Sequence, residues 1–162
     1  MRPSTVIASV GGIGYAPFAP GTVMSAFALP LAILIGLLGG WLAILMAAQV
    51  ALVIGIFACD DHVRATGRED PPECVIDELA GQWLACAFVL PGFGGLVPAA
   101  QNALLPFFAA FVLFRLFDIW KPWPVSWADR ALKGGVGVMV DDVLAGLLAG
   151  LGVVLLRLML PL

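Results

Sequence analysis

Apart from Arg2 and Arg157, every charged residue of this chain falls in two stretches, 60–78 and 115–142. What lies between them is apolar. The runs are 24–38 and 41–58, split by Gly39-Gly40, then 79–97, broken by Pro91 and glycines, then 102–114 and 143–160. A straight membrane crossing takes about 20 apolar residues. Several of these runs are shorter, so tilted or re-entrant segments are expected. Backbone groups in lipid must be bonded within their own segment, which selects helices. The chain is 62% hydrophobic and 12% charged, against about 25% charged in soluble domains. It has too few polar residues to cover a surface in water, so its solvent is lipid. The expectation is one domain, 1–162, folded as an all-α polytopic membrane helical bundle of about four to five apolar helices.

The charge pattern also predicts sidedness. The connections at Gly39-Gly40 and 91–101 carry no charge, while 59–78 and 118–142 carry Arg64, Arg68, Lys121, Arg130 and Lys133. Positive residues favour the cytoplasmic side. Five crossings put both charged connections and the N-terminus on that side, with Arg157 snorkelling to the far interface; four crossings plus a re-entrant hairpin is the alternative. The first 22 residues hold one charge, then Gly and Pro, with no continuous apolar core of a cleavable signal. A net charge of −3 without a basic stripe excludes nucleic acid as partner. Cys59, Cys74 and Cys86 have no metal-site or disulfide spacing and read as small apolar residues. His62, beside Asp60 and Asp61, reads as a solvated loop residue.

The acids sit where apolar runs begin or end. Asp77-Glu78 open the third run. Asp118 closes the fourth, because Pro122 and Pro124 stop a helix. Asp141-Asp142 open the last. One reading is structural: acids near helix N-termini complement the dipole. The other is functional. Five carboxylates on one membrane edge repel unless something neutralises them, and ionisable residues there are functional-site candidates. A hard divalent cation such as Mg2+ takes oxygen ligands of this kind. Arg115 and Lys121 flank Asp118; a guanidinium fork and an ammonium both suit phosphate. Arg115 also has the i,i+3 spacing for a plain ion pair with Asp118. Acids with bases beside them fit phosphoryl chemistry. Pro20-Gly21-Thr22 reads as a turn and helix start, with Thr22 or Ser25 as cap, or as backbone N–H groups presented to an anion. Trp120, Trp123 and Trp127 suit an interfacial aromatic belt.

Four stretches then resemble one family. They are GIGYAPFAPGT at 12–22, VIDE at 75–78 with Gly81, FRLFDIWKPWP at 114–124 and GGVGVMVDD at 134–142. In order and spacing this set is similar to the phosphatidylglycerophosphatase A family of bacterial membrane lipid phosphatases. The resemblance implies an α-helical membrane enzyme that needs Mg2+ and acts on a phospholipid substrate in the membrane. It implies removal of the terminal phosphate of phosphatidylglycerophosphate at the cytoplasmic face of the inner membrane. It implies Asp77, Asp118, Lys121 and Asp141 as catalytic positions. Asp77, Glu78, Asp141 and Asp142 would be metal ligands, and Arg115, Lys121, Thr22 and Gly21 would meet the substrate. The family pattern has a glycine where Met24 stands, so Met24 is expected to crowd that loop. The alternative is a small membrane transporter or ion-binding protein using the same carboxylates. Oligomeric state is not encoded in any of these features.

Overall fold

The computed structural model describes residues 2–90 and 104–159. The predicted connection 91–101, and the parts of the predicted runs at 91–97, 102–103 and 160, lie outside the described residues. Among the described residues the chain is all-helical, without a strand. Helix α1 is Pro3–Ala8, followed by a 3-10 turn at Ile13–Tyr15. Then come α2 Pro20–Thr66, α3 Ile76–Ala87, α4 Leu104–Trp120, α5 Val125–Ala131 and α6 Gly134–Met159.

Helix α2 is two arms joined at the predicted glycine pair. Gly39 has φ −148° and ψ 15°, and Gly40 has φ 67° and ψ −164°. The positive φ at Gly40 is one that glycine adopts without cost. A Cβ on Gly36 would lie 3.2 Å from the Ile44 side chain. Eight residues of straight helix would separate these positions by about 12 Å, so the arms fold back on one another. The first arm, 20–38, rises about 28 Å at 1.5 Å per residue, close to the hydrocarbon thickness of a bilayer. Pro20–Thr66 and Gly134–Met159 are the two described helices long and apolar enough to cross a membrane.

Helix α3 is the central post. Residues Ile76, Asp77, Leu79 to Gln82 and Leu84 to Ala87 are all buried. It is packed by α2, α6 and α4. Small residues set the α3–α6 approach, as is common where helices meet in membranes. A Cβ at Gly81 would sit 2.6 Å from both the Asp142 backbone oxygen and the Phe114 ring. Gly146 in turn lies against the Gly81 carbonyl. The main core joins Ala32, Ile44, Ala85, Phe107, Phe114, Ala145 and Val153. Much of the outside is apolar. Leu37, Leu38, Phe57, Ile119 and Trp123 are 72–82% exposed, a surface suited to lipid rather than water.

Several expectations change. The second run does not stop at 58: α2 continues to Thr66, so Asp60, Asp61, His62 and Arg64 are helical. His62 is buried rather than solvated, bonded to Thr5 Oγ1 and to Glu73 Oε1, each at 3.1 Å. A buried histidine needs such partners. The last helix starts at Gly134, so Asp141 and Asp142 lie two turns inside α6. The dipole reading, which acts within the first turn, does not account for them. Gly135 and Gly137, intrinsically poor helix formers, are helical here because packing overrides propensity, and Gly134 leads into the helix with a left-handed φ of 65°. Gly135 leaves no room for a Cβ against the Ile56 carbonyl of α2. Neither Thr22 nor Ser25 caps α2; its N-cap is Ala19, and Ser25 Oγ donates to the Gly21 carbonyl at 2.8 Å. Met24 does not crowd the loop. Its side chain is buried in a small core with Ala28, Val75 and Leu79. Arg157 is buried and donates to the Val89 carbonyl.

Candidate active site

The N-terminal ends of α2, α3 and α6 and the C-terminal end of α4, with the segments that lead into α3 and α6, surround a cavity of about 370 Å³. Its wall is assembled from Pro20 and Gly21, residues 69–72, the start of α3, the end of α4, and the 132–142 segment. The four sequence motifs thus converge, although they are spread over most of the chain.

Its deepest feature is acidic. One oxygen each of Asp77, Glu78 and Asp142 lie within 4.8 Å of one another. Asp77 and Asp142 are buried and Glu78 is half-buried. The close backbone approach at Gly81 produces this group. Gly81 is one turn beyond Asp77 on α3 and abuts the Asp142 carbonyl, so the carboxylates of two helices face the same space. Glu78 Oε2 and Asp142 Oδ2 are buried without a hydrogen-bond partner, as is Asp141 Oδ1. Unpartnered buried carboxylate oxygens are costly. The donor set is all oxygen, anionic and recessed, which fits a hard divalent cation.

The bases are arranged around it. Arg115 Nη1 binds Asp118 Oδ2 at 2.5 Å and lies 3.9 Å from Glu78 Oε1. The predicted i,i+3 pair therefore forms, and it braces the cavity wall at Asp118; Arg115 stands behind this wall rather than among the lining residues. Lys121 ends α4 with a left-handed φ of 47°. Its Nζ donates to Asp141 Oδ2 at 2.8 Å and also to Asp129 of α5. Partial burial works against the ammonium, but the hydrogen bonds to Asp129 and Asp141 prevail and raise its pKa above the ordinary lysine value. Lys121 stays charged at any physiological pH.

Of the predicted site residues, Asp77, Glu78, Asp118, Lys121, Asp141, Asp142 and Gly21 line the cavity. Asp141 falls outside the tight group of three and pairs with Lys121 instead. Gly21 lies against Glu78 and Arg115; a Cβ there would overlap the Glu78 carboxylate and come 3.3 Å from Arg115 Nη1. Thr22, its neighbour, is half-buried and off the lining. Phe114 is fully buried, whereas Trp120, Trp123 and Trp127 are exposed as a belt requires. Sequence reasoning did not single out Asp129, Asp70, Glu69 or Lys133, all of which line the cavity. They lie within the two charged stretches, but nothing in their spacing sets them apart. It also missed a support beneath the site: Glu73 bonds both His62 and Arg68, and Val75 N donates to the Ala8 carbonyl at 2.9 Å. These bonds tie α1, the end of α2 and the residues leading into Asp77.

Fold and cavity together define a helical protein with lipid-length apolar segments and a recessed, carboxylate-lined site at their ends. The family model described as Phosphatidylglycerophosphatase A matches residues 6–157, and the chain belongs to that family. It is 33% identical over 138 residues to Phosphatidylglycerophosphatase A of Escherichia coli K12, covering 85% of this chain and 74% of that one. It is 31% identical over 149 residues to the Haemophilus influenzae protein of the same name, covering 92% and 85%. It is 36% identical over 151 residues to a Bacteroides thetaiotaomicron protein named provisionally as a phosphatidylinositol-3-phosphatase, covering 90% and 89%. No solved structure matches the chain.

Proposed function

We propose that this chain is a lipid phosphatase, a phosphoric monoester hydrolase that converts phosphatidylglycerophosphate to phosphatidylglycerol. The carrying observation is the recessed Asp77–Glu78–Asp142 group in one cavity with a lysine held by Asp129 and Asp141, the cavity being built by the family's motifs. The Bacteroides relative's name widens the substrate class to phosphorylated lipid headgroups. The two relatives that share the family's name favour phosphatidylglycerophosphate.

Asp77, Glu78 and Asp142 would hold Mg2+, and Asp141 has a free oxygen, Oδ1, to offer the same ion. Bound there, Mg2+ would draw negative charge from the phosphoryl oxygens. The protein's own groups supply the rest. Lys121 places a fixed positive charge at the monoester phosphate, and Asp129 and Asp141 keep it in place. Asp118, braced by Arg115, is the carboxylate assigned to take a proton from the attacking water. Water adds to phosphorus, the P–O bond to glycerol breaks, and the glycerol oxygen takes a proton from solvent to leave as the free hydroxyl, while Asp118 returns the water's proton to solvent. The exposed aromatic and aliphatic surface keeps the acyl chains' end of the reaction in lipid.

Sidedness follows the same residues. Arg64, Arg68, Lys121, Arg130 and Lys133 all belong to the cavity end of the helices, which supports a cytoplasmic-facing site in a multi-pass, single-domain protein of the bacterial inner membrane. Four to five apolar segments remain our reading of the crossings. A transporter would hold its acids near the bilayer midplane; these gather at one end.

The test is phosphate release by purified protein in detergent micelles. Phosphatidylglycerophosphate is compared with phosphatidic acid, each with Mg2+ and with chelator. Release from the first lipid that stops on chelation supports the reading. No release from either lipid by folded protein refutes it.

A further inference from the structure

The proposed substrate carries two phosphates, a diester next to the diacylglycerol and a monoester at the far end of the headgroup glycerol. The cavity also has two ends. One end holds the buried Asp77 and Asp142 with half-buried Glu78, and half-buried Lys121 lines the same cavity. At its mouth stands Lys133, on the residue before α6. Lys121 and Lys133 are the two basic side chains among the described lining residues. Lys121 is committed to Asp129 and Asp141. Lys133 is held only by Glu69 at 2.8 Å, with side chains 65% and 79% exposed. A pair that open to water is weak and exchanges easily. Asp142 lies nine residues along α6 from Lys133, about 13 Å of helix rise, a span that the lysine arm and an extended glycerol-linked headgroup share between them.

Building on the function proposed above, we propose that Lys133 is a specificity-determining residue that exchanges Glu69 for the phosphodiester of the substrate while the monoester occupies the end with Asp77 and Asp142. The chemistry is that of a point charge meeting a singly charged phosphate. In a cavity lined by eight carboxylates, Glu69, Asp70, Asp77, Glu78, Asp118, Asp129, Asp141 and Asp142, a second phosphate needs such a cation. A lipid with a monoester alone, such as phosphatidic acid, would gain nothing from Lys133.

The two reaction products separate the two ends, because phosphatidylglycerol keeps the diester and inorganic phosphate mimics the monoester. Both are used as inhibitors of phosphatidylglycerophosphate hydrolysis by wild type, Lys133→Gln and Lys133→Arg in micelles. In Lys133→Gln, KM and the inhibition constant of phosphatidylglycerol rise about tenfold, with kcat and the inhibition constant of phosphate within about twofold. Lys133→Arg recovers most of the loss. Equal weakening of both products, or of neither, overturns the assignment while leaving the phosphatase reading intact. A wild-type protein that releases no phosphate removes that reading, and this assignment with it.

Discussion

Replacing Gly81 by Ala tests whether the site is made by a single close approach of two helices. The added methyl would lie 2.6 Å from the Asp142 carbonyl oxygen, 2.6 Å from the Phe114 ring and 3.0 Å from the Asp142 carbonyl carbon. Two of these three atoms are backbone, so they cannot swing aside like the end of a side chain. Ordinary carbon contacts need about 3.5–4.0 Å, so α6 must retreat from α3 by about 1 Å at Asp142. Overpacking of this kind costs about 1–3 kcal/mol of stability. The larger effect is on chemistry, where a misplacement of about 1 Å can cost about 100-fold. Gly152→Ala is the control. It adds the same methyl to α6, but meets only the Leu113 side chain at 3.0–4.0 Å. Phosphate release and the Mg2+ concentration for half-maximal rate are measured for both in detergent. Gly81→Ala should lose about 100-fold in kcat and need more Mg2+, while remaining folded by far-UV circular dichroism; Gly152→Ala should stay within about threefold of wild type. A Gly81→Ala protein with wild-type rate and wild-type Mg2+ requirement would refute the reasoning.

Asp142→Asn keeps the shape of the cavity but removes a charge from the three-carboxylate group, and should lower kcat at least 100-fold and weaken the response to Mg2+; an unchanged Mg2+ titration would remove Asp142 from the ligand set. Lys121→Met leaves Asp141 Oδ2 without its partner and should lower kcat/KM by 100-fold or more, read against a folded-state control because a buried carboxylate left unpaired costs about 1–3 kcal/mol. Glu73 gives a pH prediction. Burial opposes its ionisation, but its backbone hydrogen bond, His62 and Arg68 together hold its pKa below the ordinary 4.5. A depressed carboxylate contributes stability that is full above 4.5 and is lost as pH falls through the folded value. Glu73→Gln should therefore be less stable than wild type above pH 4.5, and the two denaturation curves should converge in more acid solution; a constant offset across that window would disprove the linkage.

Much of this protein is set locally by its residue order. Runs of apolar residues without charge can be solvated only by lipid or core, and in either place the backbone must close its own hydrogen bonds. Helices and their rough extents follow from that, as does the break at Gly39-Gly40, because a positive φ there suits glycine. The place of Asp77, Glu78, Asp118, Asp141 and Asp142 at the ends of apolar runs likewise groups the carboxylates, and the resemblance of VIDE, FDIWKP and VMVDD to the family's motifs adds Lys121 to the set before any contact is known. Helix ends were legible only where a proline or glycine stops the chain. The early start of α6 at Gly134 depends on packing between segments far apart in sequence, whereas the end of α2 has a local mark, Gly67 with its left-handed φ of 69° directly after Thr66.

Tertiary structure alone decided how the acids divide their work. Asp141 and Asp142 are neighbours in sequence, yet α6 turns about 100° per residue, so one meets Lys121 and the other joins Asp77 and Glu78. His62 looked solvated among charged neighbours and is buried, because the helix carries it inward between Thr5 and Glu73. Met24 looked obstructive and fills a core. Asp129 and Lys133 acquire meaning only once α5 and α6 fold them back to the cavity. Composition and periodicity determine which solvent each segment prefers; which charge faces which is fixed by helix phase and by the distance at which two backbones meet, here set by Gly81.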